Sequence, residues 1–331
     1  MNVESKASRT LAPATPQSAE VDTIVESIEP VAEGVVAVSL IAPSGDELPV
    51  WLPGAHLDLL LAPDLERQYS LCGDPADRAR WRVAVLHEPT SRGGSEWVHT
   101  RLAVGDRLRV RGPRSNFPLV YDVDSYIMIA GGIGITPLLP MVRELNEIGA
   151  DWQLIYGGRR RASMAFLDEL DAYSDRVTVW PEDENGLLPL DNLLSRPRSD
   201  TAIYACGPEP LLAAIEERCV TWPAGTLHLE RFSPRPGALS GKTNAFEVVL
   251  ANSGETVDVA PDESIVEALE VAGFDVPTSC REGTCGTCET VVLEGTPDHR
   301  DSFLSPEERE AGEVMMICCS RSLTSRLVLD L

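Results

Sequence analysis

Short runs in which apolar and polar residues alternate fill the first third of the chain. "EVDTIVESI", "GVVAVSLIA", "HLDLLLA", "RQYSLCG", "RWRVAVLHE" and "DRLRVRGP" are separated by Gly, Pro and Asp. Many short strands with such punctuation predict an antiparallel barrel or sandwich over residues 20–118. One short helix, Glu96 to Arg101, interrupts it. The period then changes. "SYIMIAGG" is an apolar strand, and "TPLLPMVRELNEIG" places Leu138, Leu139, Met141, Val142, Leu145 and Ile148 at helical spacing, with Thr136 as N-cap and Gly149 as the stop. "WQLIYGG", "RVTVW", "TAIYACGP" and "LHLERF" read as further strands, and "SMAFLDELDAYS" and "EPLLAAIEERCV" as helices. Strand and helix alternating in this way predict a parallel sheet covered on both faces, residues 119–232. "SPRPGALSGKTN" has no apolar periodicity and reads as a linker over 233–243. The remainder, 244–331, opens with a hairpin turning at "NSGE" and a short helix, "ESIVEALEVAG". Residues 1–19 read as a flexible tail.

Charge and cysteine usage narrow this picture. The 331 residues include 52 Asp and Glu against 28 Lys and Arg, a net charge of -24. Such a surface repels phosphate backbones, which argues against a nucleic-acid partner. From Lys242 onward there are 18 Asp and Glu against 6 Lys and Arg, so half the excess lies in about a quarter of the chain, and a protein docking there should be basic. No apolar run is long enough for a secretory signal or a membrane span, and a cytoplasmic protein is expected. Nothing marks an oligomer, and a monomer is expected. In that compartment the eight cysteines stay reduced.

Three of those cysteines fall within nine residues, "CREGTCGTCE": Cys280, Cys285 and Cys288, with Cys318 and Cys319 about 30 residues on. Four thiolates suit tetrahedral zinc or an iron–sulfur cluster. Zinc ribbons use two C-x2-C pairs, and here there is one. The C-x4-C-x2-C…C run is the plant-type [2Fe-2S] pattern, with zinc and redox-sensing thiols as the alternatives.

The segment "CREGTCGTCETVVLEGTPDHRDSFLSPEERE…MMICCSRS…LVLDL" resembles the C-terminal ferredoxin domain of the phthalate dioxygenase reductase family. These are the NADH-dependent reductase components of Rieske-type oxygenases, vanillate O-demethylase reductases among them. The resemblance implies a β-grasp fold for this domain. It also implies ligation of the cluster by Cys280, Cys285, Cys288 and Cys318, the last because it is the first cysteine after the M-x-I segment.

Two further segments carry the same resemblance. "RQYSL" matches the R-x-Y-S motif of the ferredoxin reductase-like flavoproteins. Taken alone, Arg67 is a phosphate fork, and Tyr69 and Ser70 could equally be alternating barrel positions. The resemblance implies that Tyr69 and Ser70 line the isoalloxazine, with Ser70 near N5. "SRGGSEW" precedes a helix, a place for an anion. By resemblance Arg92, Gly93, Gly94 and Ser95 hold an FMN phosphate. His87 falls where the family chain runs beside the flavin, and Phe232 where related reductases bring an aromatic ring. No segment suggests contacts to an adenine half, which favours FMN over FAD.

"AGGIGITPL" follows a strand and opens a helix but is not the G-x-G-x-x-G fingerprint. It resembles the family's G-G-x-G-x-T-P motif, which implies that Gly132, Gly134 and Thr136 approach the nicotinamide and the flavin edge. "YACGPEP" resembles its second motif and implies Cys206 near nicotinamide C4, with Gly207 and Pro208 shaping the loop. Arg159, Arg160 and Arg161 follow the second sheet strand. They would meet the pyrophosphate or ribose, and would equally suit a 2′-phosphate, while the family uses NADH. The expected protein passes electrons from NADH through FMN and [2Fe-2S] to a Rieske-type oxygenase. Its rivals are a reductase for a cytochrome or ferric chelate, and a non-catalytic redox carrier or sensor.

Overall fold

The computed structural model describes residues 20–89 and 92–331. The tail expected at 1–19 lies outside them. The first unit is a six-stranded antiparallel sheet: β1 (Glu20–Ala32), β2 (Val35–Ile41), β3 (Ala55–Ala62), β4 (Leu65–Ser70), β5 (Arg80–Leu86) and β6 (Arg107–Ser115), in the order β4-β3-β6-β1-β2-β5. A bridge between Leu71 and Val83 joins the two ends and closes the barrel. Strict alternation builds it. Along β6, Leu108 and Val110 enter the core while Arg107 and Arg109 face outward. Helix α1 (Gly94–Thr100) sits between β5 and β6 and starts two residues before the expected Glu96.

The second unit is wholly parallel. Strands β7 (Ser125–Gly131), β8 (Asp151–Gly158), β9 (Val177–Pro181), β10 (Thr201–Cys206) and β11 (Leu227–Glu230) run in the order β11-β10-β7-β8-β9. Helices α2 (Ile135–Glu147), α3 (Leu167–Leu170), α4 (Glu182–Asn185), α5 (Leu190–Leu194) and α6 (Glu209–Cys219) connect them. Apolar cores fill both faces of the sheet. The order reverses between β7 and β10, so their carboxyl ends form a topological switch point.

Two local expectations change here. Thr136 is not an N-cap. A 3-10 turn, Gly132–Gly134, runs directly into α2, and the buried Thr136 hydroxyl donates back to the Ile133 carbonyl at 2.9 Å. The helix expected over "SMAFLDELDAYS" is broken, with only Leu167–Leu170 α-helical. Phe166 takes a left-handed conformation (φ 63°). Its ring is buried, with the Arg82 guanidinium of the barrel 4.9 Å above it. Tertiary docking has overridden local helix propensity. The same contact region locks the first two units together. Arg82 and Arg143 share the Glu169 carboxylate and reach the carbonyls of Cys72 and Gly73.

The third unit is a mixed sheet, β12 (Phe246–Leu250), β13 (Thr256–Val259), β14 (Glu289–Glu294), β16 (Val314–Met316) and β18 (Arg326–Leu329), with β15 (Pro297–Asp298) and β17 (Arg321–Ser322) as a side pair. The order is β13-β12-β18-β14-β16, and β12 pairs in parallel with β18. Helix α7 (Ile265–Val271) buries Ile265, Val266, Ala268 and Leu269 in the core that Val248, Val259, Leu327 and Leu329 supply from the strands. This is the β-grasp arrangement. Helix α8 (Pro306–Ala311) carries a capping box, Ser305 with Glu308, as α7 does with Ser264 and Glu267. The segment read as a linker is tied at both ends. Arg235 donates to Glu216 and, through its backbone, to Ser302, and Arg300 donates to the Lys242 carbonyl.

Candidate functional site

The cysteine loop is shaped by two glycines. Gly283 and Gly286 have φ near +70°, and a Cβ on either has no room. It would sit 2.7 Å from Asp301 Cα at Gly283 and 2.6 Å from the Phe303 ring at Gly286. The resulting turn points the N–H groups of Glu282 and Thr284 at Cys280 Sγ, 3.4 Å each. The thiols lie close enough to share protons: Cys280 with Cys285 and Cys318, and Cys318 with Cys288 and Cys319. These shared protons hold Cys280 and Cys288 below the usual thiol range and push Cys285 and Cys318 above it. Cys319 joins the same group through Cys318 and lies under Gly283. Four clustered sulfurs with inward N–H donors are the donor set of a dinuclear iron–sulfur cluster, whose potential those donors tune.

Arg67, Tyr69 and Ser70 lie along β4. The Arg67 guanidinium donates to the Arg92 and Glu66 carbonyls, and its methylenes pack so tightly on Gly94 that a Cβ there would collide. Gly93 (φ 91°) turns the chain into α1, and the buried Ser95 hydroxyl accepts from the Glu88 N–H at 3.1 Å. Arg67 of the R-x-Y-S strand thus packs directly on the segment that opens α1. Burial pushes the Tyr69 phenol up to about 12, so it stays protonated. His87 lies against His99 with the rings tilted by 30° and centroids 4.9 Å apart. Phe232 is 41% exposed just past β11, where the neighbouring Arg231 is anchored on Glu209 and Glu216.

At the switch point the two glycine motifs meet in backbone contact. A Cβ on Gly134 would collide with the Cys206 carbonyl and lie 2.7 Å from Gly207 N. Pro208 N-caps α6. Cys206 is fully buried, and burial pushes its thiol well up, so it is no nucleophile. Its Sγ lies 3.9 Å from Glu230 Oε2, and Ser70 Oγ lies 3.4 Å from the same oxygen. One carboxylate therefore touches the barrel motif and the parallel-sheet motif together. Burial pushes Glu230 up to about 8. Sequence reasoning passed over Glu230. The available signal was a lone carboxylate closing an apolar strand, "LHLE", at the ligand edge of the sheet.

The arginine run divides. Arg159 lines a cavity of about 320 Å3 with Glu182 and Asp183, at the carboxyl ends of β8 and β9. Arg160 reaches instead to Glu33 of the barrel, 2.9 Å, and Arg161 is exposed in a 3-10 turn. A larger hollow of about 410 Å3, lined by Trp152, Gln153, Asp175 and Arg176, lies at the opposite end of those strands and meets none of the residues above. The cysteine loop also touches the barrel: Ser279 with Gln68 and Glu66, Glu282 with Arg92, and the Cys285 carbonyl with Asn116. Among the described residues no helix is long and apolar enough to cross a membrane.

Comparison with known proteins agrees with this anatomy. Residues 248–323 match the 2Fe-2S iron-sulfur cluster binding domain family, and residues 128–217 the oxidoreductase NAD-binding domain family. The chain is 44% identical to phenoxybenzoate dioxygenase subunit beta of Ectopseudomonas oleovorans, covering 91% of this chain and 94% of that one. It superposes on phthalate dioxygenase reductase with a TM-score of 0.70 at 34% identity, covering 94% and 98%. It also superposes on an intact type IV self-sufficient cytochrome P450 monooxygenase with a TM-score of 0.86 at 44% identity, covering 97% of this chain but 43% of that protein. The chain is an NADH-dependent oxidoreductase and belongs to the family of FMN- and [2Fe-2S]-containing reductase components of Rieske-type oxygenase systems that includes the phthalate dioxygenase and vanillate demethylase reductases.

Proposed function

We propose that electrons enter this protein at the switch point between β7 and β10, cross to β4, and leave through the cysteine loop toward a Rieske-type oxygenase that acts on an aromatic substrate by hydroxylation or demethylation. The observation that carries the reading is the Glu230 carboxylate, which Ser70 and Cys206 approach from opposite units. In this reading Gly132, Gly134, Thr136, Cys206, Gly207 and Pro208 seat the nicotinamide, and the glycines let backbone come close enough to exclude water. Glu230 and Ser70 hold the proton inventory beside the reacting edge. Tyr69 stacks on the flat ring, while Arg67, Arg92, Gly93, Gly94 and Ser95 meet the phosphate. Phe232 covers the ring, and His87, already held against His99, borders the site. Arg159 meets the dinucleotide, while Glu182 and Asp183 oppose the second charge of a 2′-phosphate and favour NADH. Cys280, Cys285, Cys288 and Cys318 hold the cluster.

Bound FMN would supply the conversion from hydride to single electrons, and a thiolate-held cluster their onward passage. The protein's contribution is placement. We place it in the cytoplasm, where its eight cysteines, none of them in a disulfide, stay reduced.

The test is an absorption spectrum of the anaerobically purified protein before and after NADH, with the released flavin identified by mass. Flavin bands near 450 nm with iron–sulfur shoulders, both bleached by NADH, and released FMN are expected. A fully loaded protein whose flavin does not respond to NADH would overturn the reading. A second reading, a haem oxygenase as acceptor, is favoured by the higher TM-score to the P450 fusion than to phthalate dioxygenase reductase. Faster NADH-driven reduction of a haem partner than of a Rieske partner would select it.

A further inference from the structure

The outer face of β3, β4 and β6 carries the charged residues that a barrel normally turns to solvent. By strand register His56, Asp58, Glu66, Gln68, Arg111 and Arg114 share it. Yet His56 and Arg114 are only 6% and 7% exposed, and Asp58 is fully buried. The loop bearing Cys280 and Cys285 lies over them. Ser279 Oγ accepts from Gln68 Nε2 at 2.9 Å and donates to Glu66 Oε1 at 3.0 Å. Asn116 donates its amide to the Cys285 carbonyl. Glu282 is ion-paired with Arg92. Beneath, Arg111 holds Glu66 at 3.0 Å and Arg114 is paired with Asp58.

These contacts fall at positions 279, 282 and 285, so they bracket Cys280 and end on Cys285 itself. All of them are polar and directional, which fixes orientation. The ionic member is partly exposed, 54% for the Arg92 side chain and 22% for Glu282. A pair in that position adds little affinity and is screened by salt. Arg92 has donors enough to meet a phosphate and Glu282 together.

We propose that Glu282, with Ser279 and the Cys285 carbonyl at its flanks, is a positioning seat that docks the cysteine loop on the flavin barrel and sets the rate of electron passage from flavin to cluster. The inference rests on the reading that the flavin lies along β4 and Arg92. It assigns a role to the side chains of Glu282 and Asn116, which neither touch the reacting atoms nor ligate the cluster; the Glu282 N–H that points at Cys280 Sγ is backbone and stays in every side-chain variant.

The test follows flavin and cluster absorbance separately by stopped flow after NADH is mixed with the fully loaded protein, at low and high salt. Flavin reduction should be the same in the unmodified protein, E282Q, E282D and N116A. Passage to the cluster should slow about threefold in E282Q, recover in E282D, and slow on the order of tenfold in E282Q/N116A. The salt dependence of that step should flatten in E282Q. An unchanged rate and salt dependence in E282Q/N116A overturns the seat. So does loss of cluster absorbance in E282Q, because Glu282 would then shape the cluster itself. If NADH fails to bleach the flavin of the unmodified protein, the underlying reading falls instead.

Discussion

Ser70 ends β4 and Glu230 ends β11, and their side chains meet at 3.4 Å across the boundary between the antiparallel barrel and the parallel sheet. Glu230 is an acid whose folded value, about 8, lies above its ordinary 4.5 because burial disfavours the carboxylate. Between those values the folded state binds a proton that the unfolded state has released. Stability therefore falls as pH rises from about 4.5 to 8 and levels off above. Glu230→Gln removes this dependence. Denaturation midpoints of the two proteins should nearly coincide at pH 5 and separate by pH 8.5, with the variant the more stable by on the order of a few kcal/mol. Parallel curves across that range would refute the assignment.

Cys285→Ser should abolish electron delivery to the oxygenase while leaving NADH-driven flavin bleaching within about twofold of the unmodified rate. The Asn116 contact uses the Cys285 backbone carbonyl, so the substitution removes a thiolate without removing that anchor. Flavin bleaching and oxygenase-coupled NADH consumption, measured side by side, decide it. Survival of both rates would mean the electron path is wrong.

Glu182 and Asp183 share a cavity with Arg159. Neutralising them in Glu182→Gln with Asp183→Asn should raise kcat/KM for NADPH relative to NADH by about tenfold, because two like charges no longer face the 2′-phosphate. Steady-state kinetics with both nucleotides is the check, and an unchanged ratio would move the adenosine subsite elsewhere.

Gly134 and Gly132 should respond differently to alanine. At Gly134 a Cβ meets the fixed Cys206 carbonyl, so Gly134→Ala must push two loops apart, costing about 1–3 kcal/mol and raising KM for NADH. At Gly132 the space is open and only the φ of 54° resists, a cost of about 1–2 kcal/mol with a smaller effect on KM. Thermal denaturation and NADH titration of both variants test the contrast.

Much of this architecture was legible along the chain because it is built from local periodicity. The alternation of β6 and the apolar runs of β7 and β10 have the burial that their patterns predict. The cysteine spacing was equally local. What escaped reading depends on partners far away. Phe166 breaks its helix because Arg82 of another unit covers its ring. Glu230 gains its meaning from Ser70, 160 positions earlier, and Gln68 from Ser279, 211 positions later. No window of sequence contains such pairs. The division of the arginine run, with Arg160 spent on Glu33, is likewise a tertiary outcome.

Strand β4 shows what this means for building new reductases from parts. Its even positions, Glu66, Gln68 and Ser70, address the ferredoxin unit and Glu230, while Arg67 on the other face packs on Gly94. One residue inserted in the turn between Ala62 and Leu65 would exchange the two faces. A chimera that imports a foreign ferredoxin unit must therefore bring a matched Glu66 and Gln68, even though they lie nearly two hundred residues upstream of the graft. The boundary at which a ferredoxin unit can be exchanged is not a linker; it is a pair of side chains on a six-residue strand.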